Sequence, residues 1–257
     1  MAPASLRDRC ADGATALGAW ISLRDPLLAE AAALAGFDYV VIDMQHGIAD
    51  LADVVAMLPA MARTQAIPVV RVPWNEPGVI GRVLDAGALG VIIPLVNTVA
   101  DAQRAVAACR YAPAGGRSIG PMVNRVRYGA DYASVANEVV ACVPMIETRQ
   151  AVEDVDAILD VPGIDAVYMG PSDLSLTYGL SPVVDQHNDV FDDALQRVVD
   201  SCRRHGVIPG IHANAALAAK RHAAGFRMIT VGFDASSAIS ALHADIAAAR
   251  AVTARPQ

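Results

Sequence analysis

The sequence predicts a single (β/α)8 barrel over residues 1–257, and three observations carry that prediction. Short apolar runs recur eight times, and amphipathic stretches with recognisable helix starts and stops separate them. The runs are apolar throughout instead of alternating, as in parallel strands buried on both faces. Eight such units in 257 residues match the usual length of this barrel. A doubly wound open sheet is the other arrangement of the same pattern, but no G-x-G-x-x-G turn follows the first run.

In chain order the runs are ALGAWIS (16–22), LAGFDYVVID (34–43), AIPVVRV (66–72), DAGALGVIIP (85–94), VVACVPMIE (139–147), VPGIDAVYMG (161–170), HGVIPGIH (205–212) and AAGFRMITVG (223–232). The second, fourth and eighth share one plan: a helix end, a glycine suited to the position just past it, then the strand. Thr98 and Asp101 have capping-box spacing before AQRAVAACR, and Asn75 and Glu76 precede Pro77 at the start of another helix. Phe191, Leu195, Val198 and Cys202 share one face of a helix that ends in a basic turn and Gly206. LADVVAMLPAMAR (51–63) is also periodic, and Pro59 should end or kink it.

Composition narrows the class. Apolar residues make up 54% and aromatics only 5%, so Ala, Val, Leu and Ile must fill the core. No apolar run approaches the roughly 20 residues needed to cross a bilayer, and Arg and Asp interrupt the first twenty residues where a signal peptide needs a continuous apolar segment. A soluble, cytoplasmic protein with no membrane partner is expected. Net charge is −7 with no basic stripe, which argues against nucleic acid. Cys10, Cys109, Cys142 and Cys202 are scattered and read as free thiols, not as a disulfide framework or zinc site.

In a parallel barrel the chemistry lies at the C-terminal ends of the strands. The second strand ends in Asp43, Gln45 and His46, the third in Arg71 and the fifth in Glu147. The sixth leads to Asp173, and the seventh ends in His212 and Asn214. Singly each has a structural reading: Glu147 opening the helix after it, Asp173 capping the next, a histidine or arginine paired at the surface. Together they converge on one rim. Two acids on adjacent strands, with no His or Cys at ligand spacing, suit a hard divalent ion such as Mg²⁺ or Mn²⁺ completed by water and substrate oxygens. Such an ion beside an Arg and a His would polarise a carbonyl and stabilise an enolate. Lys220 is the only lysine and falls in a helix, so Schiff-base chemistry is badly served.

The ordered set DMQHG, VVRVPWNEP, DAGALGVIIPLV, ACRYAPAGGRSIG, MIET and MGPSDLS, within a resemblance covering about residues 17 to 250, resembles the HpcH/HpaI aldolase family. That resemblance implies a metal-dependent class II pyruvate aldolase of the 4-hydroxy-2-oxoheptanedioate aldolase kind, using Mg²⁺, Mn²⁺ or Co²⁺. It implies that Glu147 and Asp173 hold the metal and that Arg71 faces the keto oxygen. His46 is then the base, working through water, with Asp43 and Asp85 oriented around it. Gly170 and the backbone amides of Ser172 and Asp173 would hold the pyruvate carboxylate. Asp85 precedes the fourth strand at a helix end, so topology alone would not place it there. A hexamer built from dimers is implied, with the last helix exchanged between neighbours; the tail at 234–252 fits that or an ordinary eighth barrel helix. Where relatives read D-G-E-H, Met44 and Gln45 stand here; Met145 replaces a frequent Gln, and Ala112 a Pro. These departures bear on substrate preference. Arg117 is expected to anchor the glycine-rich loop beside the site, and loops including residues 124–132 should shape the aldehyde pocket. A decarboxylase or acyl-CoA lyase on the same site, and a keto-acid-binding barrel without catalysis, are the competing readings.

Overall fold

Among the residues that the computed structural model describes, 3–253, eight strands form where the eight apolar runs lie. They are β1 (Ala16–Ile21), β2 (Tyr39–Asp43), β3 (Ile67–Arg71), β4 (Gly90–Ile93), β5 (Ala141–Pro144), β6 (Ala166–Met169), β7 (Ile208–His212) and β8 (Met228–Phe233). Residues 1, 2 and 254–257 of the expected domain lie outside the described range. All pairings are parallel, in the order β5-β4-β3-β2-β1-β8-β7-β6, and the bridge between Met145 and Tyr168 joins the two ends into a barrel. The strands from β2 to β6 are buried at every position, which is why each reads as an unbroken apolar run.

The helices are α1 (Leu6–Arg9), α2 (Pro26–Leu34), α3 (Leu51–Ala60), α4 (Pro77–Asp85), α5 (Val99–Cys109), α6 (Met122–Tyr128), α7 (Tyr132–Val139), α8 (Arg149–Glu153), α9 (Val155–Leu159), α10 (Pro171–Thr177), α11 (Asp189–His205), α12 (Ala218–Ala223) and α13 (Asp234–Thr253). The Thr98–Asp101 capping box forms, and Gly206 closes α11 in the left-handed region at φ 67°. Pro59 sits one residue before the end of α3, and the chain tightens into a 3-10 turn after it. Pro77 occupies the first turn of α4, while Asn75 caps nothing and bonds the Asp101 carbonyl. The single helix expected after Glu147 breaks in two at Asp154. Residues 124–132, expected as loop, are largely α6 and the turn into α7.

The β5–β6 seam has the sparsest strand pairing, and a buried acid closes its N-terminal end. Asp165 accepts from the Arg110 guanidinium (2.5 Å) and the Cys142 N–H (2.7 Å), and Arg7 adds an ion pair (2.5 Å). The last helix behaves differently from the others. It starts where Asp234 caps the backbone of Ser22 and Leu23, yet none of its twenty residues is buried. Leu17 on the outer face of β1, and Leu27 and Leu34 of α2, lie exposed on the flank an eighth helix would cover.

Candidate active site

A cavity of about 180 Å³ opens at the C-terminal end of the barrel. It is lined by Trp20, His46, Arg71, Met145, Tyr168, Gly170, Pro171, Ser172, Asp173 and His212. Short strands deliver these groups: β3 ends on Arg71, the turn after β2 carries His46, and Gly170 and Pro171 lead from β6 straight into α10.

Asp43 organises one wall. Its carboxylate accepts a two-pronged bond from Arg71, Nε at 2.8 Å and Nη2 at 2.5 Å, and a third bond from the Trp20 indole at 3.1 Å. Burial works to raise this carboxyl, but the Arg71 bonds and charge outweigh it and hold it below the usual carboxylate range. Arg71 also lies over the Trp20 ring, 4.8 Å from its centroid, so the guanidinium is fixed in plane and in direction. The other oxygen-side contacts of Asp43 are the backbone N–H groups of Gln45 (2.9 Å) and His46 (3.3 Å). Asp43 thus orients the turn that carries His46, through the backbone and not through the imidazole. Gly47 is required here because a Cβ would collide with the Asp43 carbonyl.

Glu147 lies three residues beyond the end of β5, buried to 2% exposure, so it does not simply open α8; Thr148 caps that helix. Its Oε1 accepts the Leu95 N–H at 2.8 Å, and Leu95 adopts the left-handed region at φ 54° to present it. Burial pushes the Glu147 carboxyl up to about 7; the Leu95 bond and Arg71 oppose the shift, and the neighbouring Asp173 adds to it. Asp173 lies in the first turn of α10, where Gly170 and not Asp173 is the cap. A Cβ at Gly170 would sit 2.7 Å from the Glu147 Oε2, so glycine leaves the carboxylate its space. Two mutually repelling carboxylates, one of them buried and hard to ionise, are a donor set that a divalent cation would neutralise. Among the described residues no group of three or more His, Cys, Asp and Glu side chains is placed to hold a metal ion, so an ion at Glu147 and Asp173 would take water and substrate as its remaining ligands.

Asp85 is not part of this constellation within one chain. It closes α4, pairs with Arg117 at 2.8 Å and lines a separate groove between α4 and α5. Topology explains this, because a helix that returns from one strand to the next ends at the opposite face. Arg117 does anchor the glycine-rich loop, to Asp85 and across the Tyr111 ring, but at that remote end. Arg125 lines another surface cavity, with Ile119, Met122 and Val126, away from His46. Lys220 pairs with Asp185 on the outside, and the four cysteines are free. Trp20, Tyr168 and His212 line the cavity as well. Trp20 and Tyr168 stand inside strands as apolar-run residues, so only the register of a barrel strand, with every second residue turned inward, could have marked them.

Fold and site together define a (β/α)8 barrel whose mouth brings two neighbouring carboxylates near an ion-paired arginine and a histidine. The HpcH/HpaI aldolase/citrate lyase family model matches residues 16–241, and the chain belongs to that family. A hydroxypyruvate/pyruvate aldolase of Rhizorhabdus wittichii is 41% identical over 242 residues, 94% of this chain and 96% of that protein. A 4-hydroxy-2-oxo-heptane-1,7-dioate aldolase of Salmonella paratyphi A is 38% identical over 234 residues, covering 90% and 88%. The crystal structure of an HpcH/HpaI aldolase/citrate lyase family protein from Burkholderia cenocepacia J2315 superposes with a TM-score of 0.88 at 36% identity, covering 95% and 98%.

Proposed function

We infer that this chain is a metal-dependent pyruvate aldolase, a carbon–carbon lyase that cleaves a 4-hydroxy-2-oxo acid to pyruvate and an aldehyde and runs the addition in reverse. The observation that carries the reading is the buried Glu147 beside Asp173, an acid that lines the same cavity as the Asp43-locked Arg71. Glu147 and Asp173 are the ligands for Mg²⁺, Mn²⁺ or Co²⁺, which supplies Lewis-acid polarisation of the keto acid when bound. Arg71 faces the keto oxygen and is already aligned before charge develops there, so it stabilises the enolate without reorganisation. Gly170 and the amides of Ser172 and Asp173 receive the carboxylate at the start of α10. His46, through water, takes the C4 hydroxyl proton as the C3–C4 bond breaks, and an imidazole suits that exchange near neutral pH.

Asp85 does not line the cavity of its own chain, so its place beside His46 belongs to an assembly in which a neighbouring copy presents α4. We assign a homohexamer, a trimer of dimers, in which α13 leaves its own barrel and covers the bare flank of a neighbour. Among the described residues no helix is long and apolar enough to cross a membrane. The net charge of −7 supports a reading with no nucleic-acid partner, and we propose a cytoplasmic enzyme. The direct test is release of pyruvate from 4-hydroxy-2-oxo acids by the purified protein, followed with a coupled dehydrogenase. Release that stops with EDTA and returns with Mg²⁺, Mn²⁺ or Co²⁺ is expected; release unaffected by chelation would overturn the metal assignment.

A further inference from the structure

His212 is a polar side chain in the cavity that the mechanism above does not use. Its ring is clamped between aromatic neighbours, the Trp20 edge at 5.2 Å between centroids and Phe233 at 4.3 Å. Its Nδ1 lies 3.3 Å from the Tyr168 hydroxyl, which donates to Thr230 at 2.5 Å; Thr230 in turn meets the Tyr39 hydroxyl at 2.9 Å. This chain of bonds sets the tautomer. The Tyr168 proton is committed to Thr230, so its oxygen accepts from His212 Nδ1–H and Nε2 is left as a bare acceptor. Burial, with Arg71 nearby, pushes the imidazole down to about 4, so the ring stays neutral at physiological pH. Among the described residues Nε2 has no partner, and it is not one of the sealed unpaired polar atoms, so it opens to the cavity.

Register places that acceptor. Met169 pairs with Ile211 across β6 and β7, which sets Gly170 level with His212. Gly170 has no side chain to intervene. His212 therefore stands at the end of the cavity where the keto acid is held, one strand from Gly170. His46, the base for the aldehyde oxygen, enters from the turn after β2 on the other side of β1. Met145, which also lines this corner, offers no competing hydrogen bond.

The geometry points to His212 as a specificity-determining residue that accepts a hydrogen bond from a hydroxyl on C3 of the keto acid, so that the enzyme takes 3-hydroxy-2-oxo acids in preference to pyruvate. The inference rests on the aldolase reading of the same site. A site with a fixed acceptor discriminates against the analogue that lacks the donor, because the acceptor is then desolvated and unpaired.

The test is the ratio of kcat/KM for hydroxypyruvate over pyruvate in the metal-loaded enzyme, each added to one common aldehyde. Wild type, His212→Leu and Tyr168→Phe are compared, with metal-dependent deuterium exchange at the pyruvate methyl read in parallel. The ratio is expected to favour hydroxypyruvate in wild type, to fall at least tenfold in His212→Leu, and to fall by a smaller factor in Tyr168→Phe, which frees the tautomer. An unchanged ratio in both variants, with exchange retained, overturns the inference and leaves the aldolase standing. A shift seen only when the aldehyde is varied overturns the assignment to the keto acid. Loss of exchange in His212→Leu makes His212 part of the enolate chemistry and likewise overturns its role in selection. No exchange in the unmodified protein removes the aldolase reading and this inference with it.

Discussion

The Asp43–Arg71–Trp20 arrangement shows how one buried carboxylate can hold several groups of the barrel mouth at once. Asp43 spends its lone pairs on the Arg71 fork, the indole and two backbone N–H groups, so the arginine and the His46 turn share one anchor. Arg71→Ala removes the aligned charge and should lower kcat on the order of a hundredfold, with metal affinity changed far less; near-normal turnover would contradict its role. Glu147 gives a second prediction at this scale. Its carboxyl titrates near 7 in the metal-free fold against 4.5 ordinarily, so the folded state binds the proton more tightly. Metal-free stability should therefore fall as pH rises from about 4.5 to about 7, by up to roughly 3 kcal/mol. Calorimetry should show that slope shrink in Glu147→Gln, and the rise in Tm caused by Mn²⁺ should be larger at pH 8 than at pH 5.5. An equal metal-induced rise at both pH values would contradict Glu147 as a ligand. Of these residue-level facts, the sequence marked Asp43, Arg71, Glu147 and Asp173 because polar groups at the ends of apolar runs stand out. It marked His212 in the same way, but not the Asp43–Arg71 bond, made across 28 residues, nor Trp20 and Tyr168, which look like ordinary core inside their runs.

At the scale of elements, strands were the most legible feature. Burial on both faces leaves a continuous apolar signature, and each of the eight runs became a strand. Helix punctuation at Thr98, Pro77 and Gly206 was equally plain, because caps are local chemistry. The break at Asp154 and the two helices between 122 and 139 were not, since their causes lie in tertiary packing. The same holds for the β5–β6 seam, where Asp165 gathers Arg110, Arg7 and the Cys142 N–H. Asp165→Ala would leave the buried Arg110 charge without its acid and should destabilise the fold by about 3–5 kcal/mol in urea unfolding. A change within 0.5 kcal/mol would mean that the seam is held by strand pairing alone.

For the whole molecule, the informative surface is α13. An amphipathic eighth helix would bury one side on the barrel, yet Ile239, Leu242, Ile246 and Val252 are all exposed while the β1–α2 flank is bare. A helix and a flank left apolar on the same chain fit exchange between copies, and Asp85 on the outside of α4 fits a site completed by a neighbour. Light scattering should give a hexamer for the full chain and a smaller species for a chain ending at residue 233, with turnover lowered in the shorter form. A monomeric full-length protein of undiminished activity would contradict both assignments.

The proposed chemistry of this barrel mouth is formation of an enolate from a keto acid on a two-carboxylate metal site. Its most direct test needs no knowledge of the aldehyde: proton NMR of pyruvate in D₂O with the purified protein and Mg²⁺, Mn²⁺ or Co²⁺, before and after EDTA. Metal-dependent loss of the methyl signal by deuterium exchange, abolished by chelation and by Arg71→Ala, is the predicted result. Bound pyruvate whose methyl protons never exchange with any of the three metals would contradict the account.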